Sequence, residues 1–198
     1  LNRSAKDLGL TNTNLWIYPG YDHDQNVQNF IQDPEADFPV VYVSFPSAKD
    51  KAWDQNHAGY ATMEAITMAR WNWYTQWQEL PWKKRGELYE NEKEKLSRRI
   101  MDVVHRHVPG IKDAVDYLEL STPLTVRDLA NYQQGEMYGV HHTPQRFRQR
   151  WLKPRTEIKN LFLTGQDVTT VGVTSALFSG LLTASAVLKK DLTNMLKS

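Results

Sequence analysis

Residues 160–167 read NLFLTGQD, and the stretch that follows, residues 168–188, contains no charged side chain. A run of that length is long enough to cross a bilayer, which takes about 20 residues. It is rich in small and hydroxylic residues, however, namely Thr169, Thr170, Gly172, Thr174, Ser175, Ser179, Gly180, Thr183 and Ser185. A helix that faces lipid would carry more Leu, Ile and Val. We therefore predict a helix that starts near Val173 and is buried against a sheet through Ala176, Gly180 and Ala184, rather than a transmembrane anchor.

The apolar segment NLFLT predicts a buried strand, so that a strand, Gly165-Gln166-Asp167, a loop and a helix follow one another. In an open α/β sheet, ligands bind outside the carboxyl ends of the strands. The start of a helix offers unpaired N–H groups and about half a positive charge. Asp167 would then accept a hydrogen bond from a ligand hydroxyl, and Gly172 would let the backbone approach a flat ligand. Spacing alone leaves open that Asp167 caps the helix and that Gly172 relieves a turn.

The rest of the chain alternates between predicted strands and helices. Strand-like composition, rich in β-branched and aromatic residues, occurs in residues 15–18, 38–45, 62–68 and 115–120. Apolar spacing predicts a long helix over residues 85–107, ended by Pro109-Gly110, and shorter helices capped by Asp24 and over residues 122–129. The aromatic residues of 71–77 fit one helical face, and residues 131–158 lack periodicity and are predicted to be a long ordered loop.

The composition excludes several functional classes. The chain has 198 residues, 24 Lys+Arg against 23 Asp+Glu, and no Cys. The net charge of +1 gives no sign of nucleic-acid binding, and the lack of Cys excludes disulfides and thiolate sites. No G-x-G-x-x-G loop occurs anywhere in the sequence. The chain begins at Leu1 without a signal-peptide pattern, which we interpret as a processed chain or a piece of a longer protein.

Three motifs resemble one protein family. Residues 160–168, with Gly172 and Ala176 beyond them, resemble the C-terminal flavin motif of the phytoene desaturase-like oxidoreductases. The segments FPSAKD, residues 45–50, and GEMYG, residues 135–139, are most similar to the retinol saturase branch of that superfamily. The similarity runs from about Asn14 to the C-terminus, with the motifs in matching order.

The resemblance implies a fold class and a cofactor. The expected fold is α+β: a β-sheet substrate-binding domain flanked by helices, residues 1–140, and the C-terminal strand–helix of a Rossmann-like FAD domain, residues 141–198. The N-terminal half of that FAD domain, with its glycine loop, is absent, so FAD is expected in the full-length protein and only weakly in this chain. The cofactor-binding residues implied are Gly165, Gln166, Asp167, Gly172, Val173 and Ala176. Among them, Asp167 would bond the ribityl chain, and the helix start would face the pyrimidine edge of the flavin.

The resemblance also implies an activity and its partners. The expected reaction saturates or desaturates a carbon–carbon double bond of a retinoid or carotenoid-like polyene, with Tyr138 as the candidate catalytic residue near the reactive face. Lining residues for an apolar slot would be Phe45, the aromatics of 71–77, Tyr132 and Tyr138, although most of these also suit an ordinary core. The expected partners are the polyene and the missing Rossmann half. The expected location is cytoplasmic or peripheral to a membrane, with a possible peripheral membrane contact. The alternatives are a carotenoid desaturase or isomerase and a non-catalytic lipophilic-ligand module.

Two other clusters have less support. The pairs His105/His107 and His141-His142 lack the third ligand and the spacing of a metal site, so no metal is predicted. Five cations without an acid occur between residues 146 and 155. They are interpreted as a solvated basic loop, with contact to anionic lipid or to the FAD pyrophosphate as the alternative.

Overall fold

The computed structural model describes residues 1–194; residues 195–198, the end of the predicted segment 141–198, lie outside the described residues. The chain divides into two compact units, Leu1–Thr125 and Val126–Ser198. The division falls inside a helix, α5, at Pro123–Ala130. The predicted boundary at residue 140 divides the chain by substrate binding and FAD binding rather than by compactness. It stays a prediction.

The first unit is built on a three-stranded antiparallel sheet. Strands β1 (Leu15–Ile17), β2 (Val41–Ser44) and β3 (Glu64–Thr67) lie in the order β1-β2-β3. The central strand comes from the predicted segment FPVVYVSF, and its Val41 and Val43 are buried. Three of the predicted strands are thereby confirmed in shortened form, and the unit is a small α+β structure.

The helices of the first unit follow their sequence signals closely. Helix α1 (His23–Gln32) begins after Asp22, whose carboxylate accepts the N–H of Gln25, so the cap is Asp22 rather than the predicted Asp24. Short helices α2 (Pro46–Lys49) and α3 (Trp53–Asn56) follow β2. The long predicted helix is confirmed as α4 (Glu87–His107). Its apolar face supplies part of the core, namely Tyr89, Leu96, Ile100, Met101 and Val104.

The aromatic block forms two short 3₁₀ turns, Trp71–Trp73 and Thr75–Trp77, instead of one helical face. Its rings pack inward: the centroid of Trp73 lies 5.1 Å from that of Phe30, and Tyr74 is buried. Burial raises the pKa of the Tyr74 hydroxyl, with a smaller contribution from the charge of Glu92. The interpretation of these aromatics as core is confirmed, and it extends to Phe45.

The strand predicted over residues 115–120 is wrong, because no strand is assigned there in the described part of the chain. Val115 and Leu120 pack against the core while Tyr117 and Leu118 are exposed. The segment is held by side chains instead, since Lys93 of α4 donates to Glu119 at 2.9 Å. A strand also needs a neighbouring backbone, which composition does not reveal.

The second unit contains α6 (Pro144–Phe147) and α7 (Val173–Leu188). The predicted helix start near Val173 is confirmed, and α6 interrupts the predicted long loop. The buried strand over residues 160–164 is wrong, since a single bridge joins Phe162 to Arg155 and Leu161 is 45% exposed. The reason is the lack of neighbours: residues 1–194 place no second strand beside this segment.

Helix α7 is less buried than its composition predicts. Only Ser179 is buried among its residues, and Leu177 is 72% exposed. A Cβ atom added at Gly180 would meet no atom within 4 Å, so the predicted close packing is not made by the described residues. Among residues 1–194, no helix is long and apolar enough to cross a membrane.

Candidate cofactor site in the second unit

Two motifs that the sequence keeps apart meet at the carboxylate of Asp167. Its Oδ1 accepts the backbone N–H of Val140 at 2.8 Å. The close approach depends on Gly139, which has φ +67 and on which a Cβ would lie 2.1 Å from that oxygen. The GEMYG motif therefore ends in a glycine because a side chain there would occupy the position of the carboxylate.

The two residues before Asp167 are fixed as well. The N–H of Gly165 donates to Oγ of the buried Ser179 at 2.9 Å, which joins this turn to the middle of α7. The side-chain amide of Gln166 donates to the Tyr132 hydroxyl at 3.2 Å. Three of the predicted cofactor-binding residues, Gly165, Gln166 and Asp167, thus form one hydrogen-bonded turn.

The N-terminus of α7 has no side-chain cap. Its N-cap is Gly172, at φ 106, and no side chain accepts a hydrogen bond there. The alternative in which Asp167 caps this helix is therefore wrong. Ser175 in the first turn is held from the preceding loop, because Thr169 Oγ1 donates to its carbonyl at 2.9 Å. The helix start keeps its partial positive charge, and an added Cβ at Gly172 would meet nothing within 4 Å.

His142, which the sequence offered only as one of a pair of possible metal ligands, bonds to the loop before α7 instead. Its Nε2 accepts the backbone N–H of Val171 at 2.9 Å, one residue before the helix cap. Nε2 accepts this bond through its lone pair, which leaves Nδ1 as the nitrogen that can donate. No group of three His, Cys, Asp or Glu side chains that would hold a metal occurs within residues 1–194.

Arg146 departs from the predicted solvated basic loop. Its four companions, Arg148, Arg150, Lys153 and Arg155, are exposed, whereas Arg146 is only 6% exposed. Its Nη2 donates to the carbonyls of Gln166 and Asp167, at 3.2 and 2.7 Å. The sequence signal for the position of Arg146 is Thr143-Pro144, a helix cap followed by a proline, which starts α6. Thr143 Oγ1 accepts the backbone N–H of Arg146 and so fixes this residue in the first turn.

The remaining predicted site residues surround this turn in sequence. Tyr138, two residues before Val140, is 60% exposed. Val173, the first residue of α7, is 79% exposed, and Ala176 donates its N–H to the carbonyl of Gly172. The half-buried carboxylate of Asp167, the open backbone of Gly172 and the uncapped start of α7 together provide acceptors and donors for a polar, partly anionic ligand.

The first unit contains an open cavity of its own. It has a volume of about 710 Å³ and lies beside β1. Its lining includes Trp16, Tyr18, Tyr21, His23 and His107. None of the predicted site residues lines it.

The chain is similar to proteins of one kind along almost its whole length. It is 32% identical over 205 residues to the all-trans-retinol 13,14-reductase of Homo sapiens, a match that covers 100% of this chain and 34% of that protein. The reductase of Danio rerio is 31% identical over 199 residues, covering 97% of this chain and 33% of the relative. A second Danio rerio protein, the inactive all-trans-retinol 13,14-reductase, is 31% identical over 201 residues, covering 96% and 32%.

The chain spans about a third of the length of the curated relatives that it matches. No protein family model matches it, and no solved structure matches it. The aligned region covers nearly all of the chain and so includes the three motifs described above. The chain is thus homologous along nearly its whole length to proteins named all-trans-retinol 13,14-reductase, which fits the predicted C-terminal part of a retinol saturase-like protein.

Proposed function

We propose that these residues form the C-terminal part of an FAD-dependent oxidoreductase that reduces a carbon–carbon double bond of a retinoid. The names of the relatives support the reaction and the substrate class. The observation that carries the proposal is the hydrogen bond between Asp167 and Val140. It brings the GEMYG motif and the predicted flavin motif, residues 160–168, into one site.

The residues of this site fit a flavin. The uncapped start of α7 at Gly172 favours negative charge, which a reduced flavin carries near N1 and O2. The Asp167 carboxylate is a strong acceptor for a ribityl hydroxyl. When bound, FAD supplies the electron pair for the reduction, while the protein positions it and tunes its charge. Tyr138, exposed beside this turn, is the residue we propose to lie near the reacting carbons.

A second polypeptide segment completes the site in this proposal. The sequence has no glycine loop for the FAD phosphates, and the relatives are about three times as long. Helix α7 offers apolar side chains without cover in the described chain, chiefly Val173, Leu177 and Phe178. Burying a side chain of that size stabilises a contact by about 1.5–3 kcal/mol. We propose that a Rossmann half carrying the glycine loop is the segment that covers them.

A non-catalytic module for a lipophilic ligand is the second candidate function. The observation that favours it is the Danio rerio relative named as inactive. The chain is 31% identical to that protein, as it is to the Danio rerio protein named simply as the reductase. In that case the exposed apolar side chains of α7 would bind a retinoid without any redox chemistry. A carotenoid-like polyene is a substrate alternative that the same cofactor site would serve.

The absorption spectrum of the complete natural protein that carries these residues tests the proposal. We expect bound flavin, bleached on reduction and reoxidised by a retinoid acceptor. Asp167→Ala should lower the flavin content at least several-fold, since a charge-assisted hydrogen bond is worth about 1.5–3 kcal/mol. Asp191→Ala removes an exposed carboxylate whose described hydrogen bonds go to Thr193 and Asn194, and it is the matched control. A flavin-free protein that still quenches its Trp fluorescence with retinol would support the second candidate instead.

A further inference from the structure

Arg146 is a buried cation whose partners are neutral. The side chain is 6% exposed, and its hydrogen bonds go to the carbonyls of Gln166 and Asp167. The ring of Phe147 lies 4.9 Å from its Cζ. Carbonyl dipoles and an aromatic face offset only part of the cost of removing a guanidinium from water.

Two of its nitrogens have no hydrogen-bond partner among residues 1–194. Nε and Nη1 are buried and make no hydrogen bond to any described residue. An arginine stays protonated in proteins, so it cannot relieve this cost by losing its proton. Buried charges are normally paired with an opposite charge, and the chain provides no ion pair for Arg146 among residues 1–194.

The location of the charge indicates what it acts on. Nη2 is 2.7 Å from the carbonyl of Asp167, the residue whose carboxylate faces Val140. The guanidinium therefore fixes the backbone of the turn and adds a positive charge directly behind it. Because the guanidinium is buried, its charge is screened less than a charge on the surface.

We propose that Arg146 is a positioning residue for the cofactor turn, and that its unpaired charge favours the anionic, reduced form of the flavin held there. The inference rests on the proposed function, since it needs a flavin at this turn. It assigns to Arg146 two separable effects: the hydrogen bonds hold Gln166 and Asp167 in place, and the charge raises the affinity of the site for an anionic ring.

Sulfite binding to the FAD-loaded complete protein separates these effects. Sulfite adds to N5 of oxidised flavin and leaves a negative charge on the N1 side of the ring, so its dissociation constant reports the charge around the flavin. We expect Arg146→Met to weaken sulfite binding at least tenfold and to lower the flavin midpoint potential. Arg146→Lys keeps a charge and should restore both values close to those of the unaltered protein. Arg148→Met, which removes an exposed cation two residues away, should change neither.

Three outcomes would overturn the proposal. Bound flavin with unchanged sulfite affinity and potential in Arg146→Met would show that the charge does not act on the ring. A weaker FAD affinity with unchanged sulfite affinity would place its effect on the phosphates instead. If Arg146→Met does not fold, Arg146→Lys tests the proposal instead. Loss of folding or of sulfite binding in the lysine variant would show that Arg146 has only a structural role. Absence of flavin from the unaltered protein would instead refute the proposed function, which keeps the two failures distinct.

Discussion

Replacing Gly139 by alanine tests the contact on which the candidate site depends. The new Cβ would stand 2.1 Å from Oδ1 and 2.9 Å from Cγ of Asp167, so the carboxylate would have to leave the N–H of Val140. The left-handed backbone of Gly139, at φ +67, adds a cost of about 1–2 kcal/mol for any residue with a Cβ. Loss of the hydrogen bond adds about 0.5–1.5 kcal/mol, because the bond is exposed and water replaces it. We therefore expect a total loss of about 1.5–3.5 kcal/mol.

A double-mutant cycle separates the two terms. In an Asp167→Ala background the carboxylate is gone, so Gly139→Ala should cost only the backbone term of about 1–2 kcal/mol. Gly9→Ala is the matched control for the backbone term, because its φ is +65 and an added Cβ would meet nothing within 4 Å. The free energies come from urea unfolding of the 198-residue chain, with amide hydrogen exchange on peptides of residues 126–194 to follow the second unit by itself.

Additive losses of unfolding free energy for Gly139→Ala and Asp167→Ala would refute the reasoning. If Gly139→Ala costs the same with and without the Asp167 carboxylate, within about 0.3–0.5 kcal/mol, the two residues are not coupled. Glycine would then be present at this position only for its backbone conformation, and the two motifs would not meet through this contact.

Two further predictions concern the first unit. Glu119 accepts a hydrogen bond from Lys93 at 2.9 Å, which holds the pKa of Glu119 below its usual value. A lowered pKa contributes stability that is present above about pH 4.3 and is lost as the pH falls through the folded-state pKa, so Glu119→Gln should remove about 0.2–1 kcal/mol at pH 7 and much less at pH 3. An equal loss at both pH values in urea unfolding would contradict this. The buried pair Tyr89 Oη and Thr122 Oγ1, 2.6 Å apart, should make Tyr89→Phe cost about 1–3 kcal/mol in urea unfolding, because it leaves the threonine hydroxyl unsatisfied. Tyr117→Phe, on the exposed segment, should leave the stability nearly unchanged.

Elements that depend on local spacing could be predicted from the sequence. Helix α4 (Glu87–His107) was predicted nearly to its ends because its apolar residues recur at helical intervals and Pro109-Gly110 ends it. The start of α7 was predicted from Gly172 and the change to small apolar residues. Elements that depend on a distant partner were not predictable: the segment 160–164 has the composition of a strand, yet residues 1–194 provide it with one bridge only.

By itself, the sequence determined the likeness to the retinol reductases, the order of the motifs and the helices that local periodicity specifies. Which residues of those motifs meet was decided by the tertiary structure. Asp167 and Val140 are 27 positions apart, and their bond depends on the missing side chain of Gly139, which no pattern of spacing reveals. Arg146 is similar to its four charged neighbours in the sequence, and only the fold of α6 against the Gln166–Asp167 carbonyls removes it from water. Burial and contact are properties of pairs brought together from distant parts of the chain, so they become known only when the chain is folded.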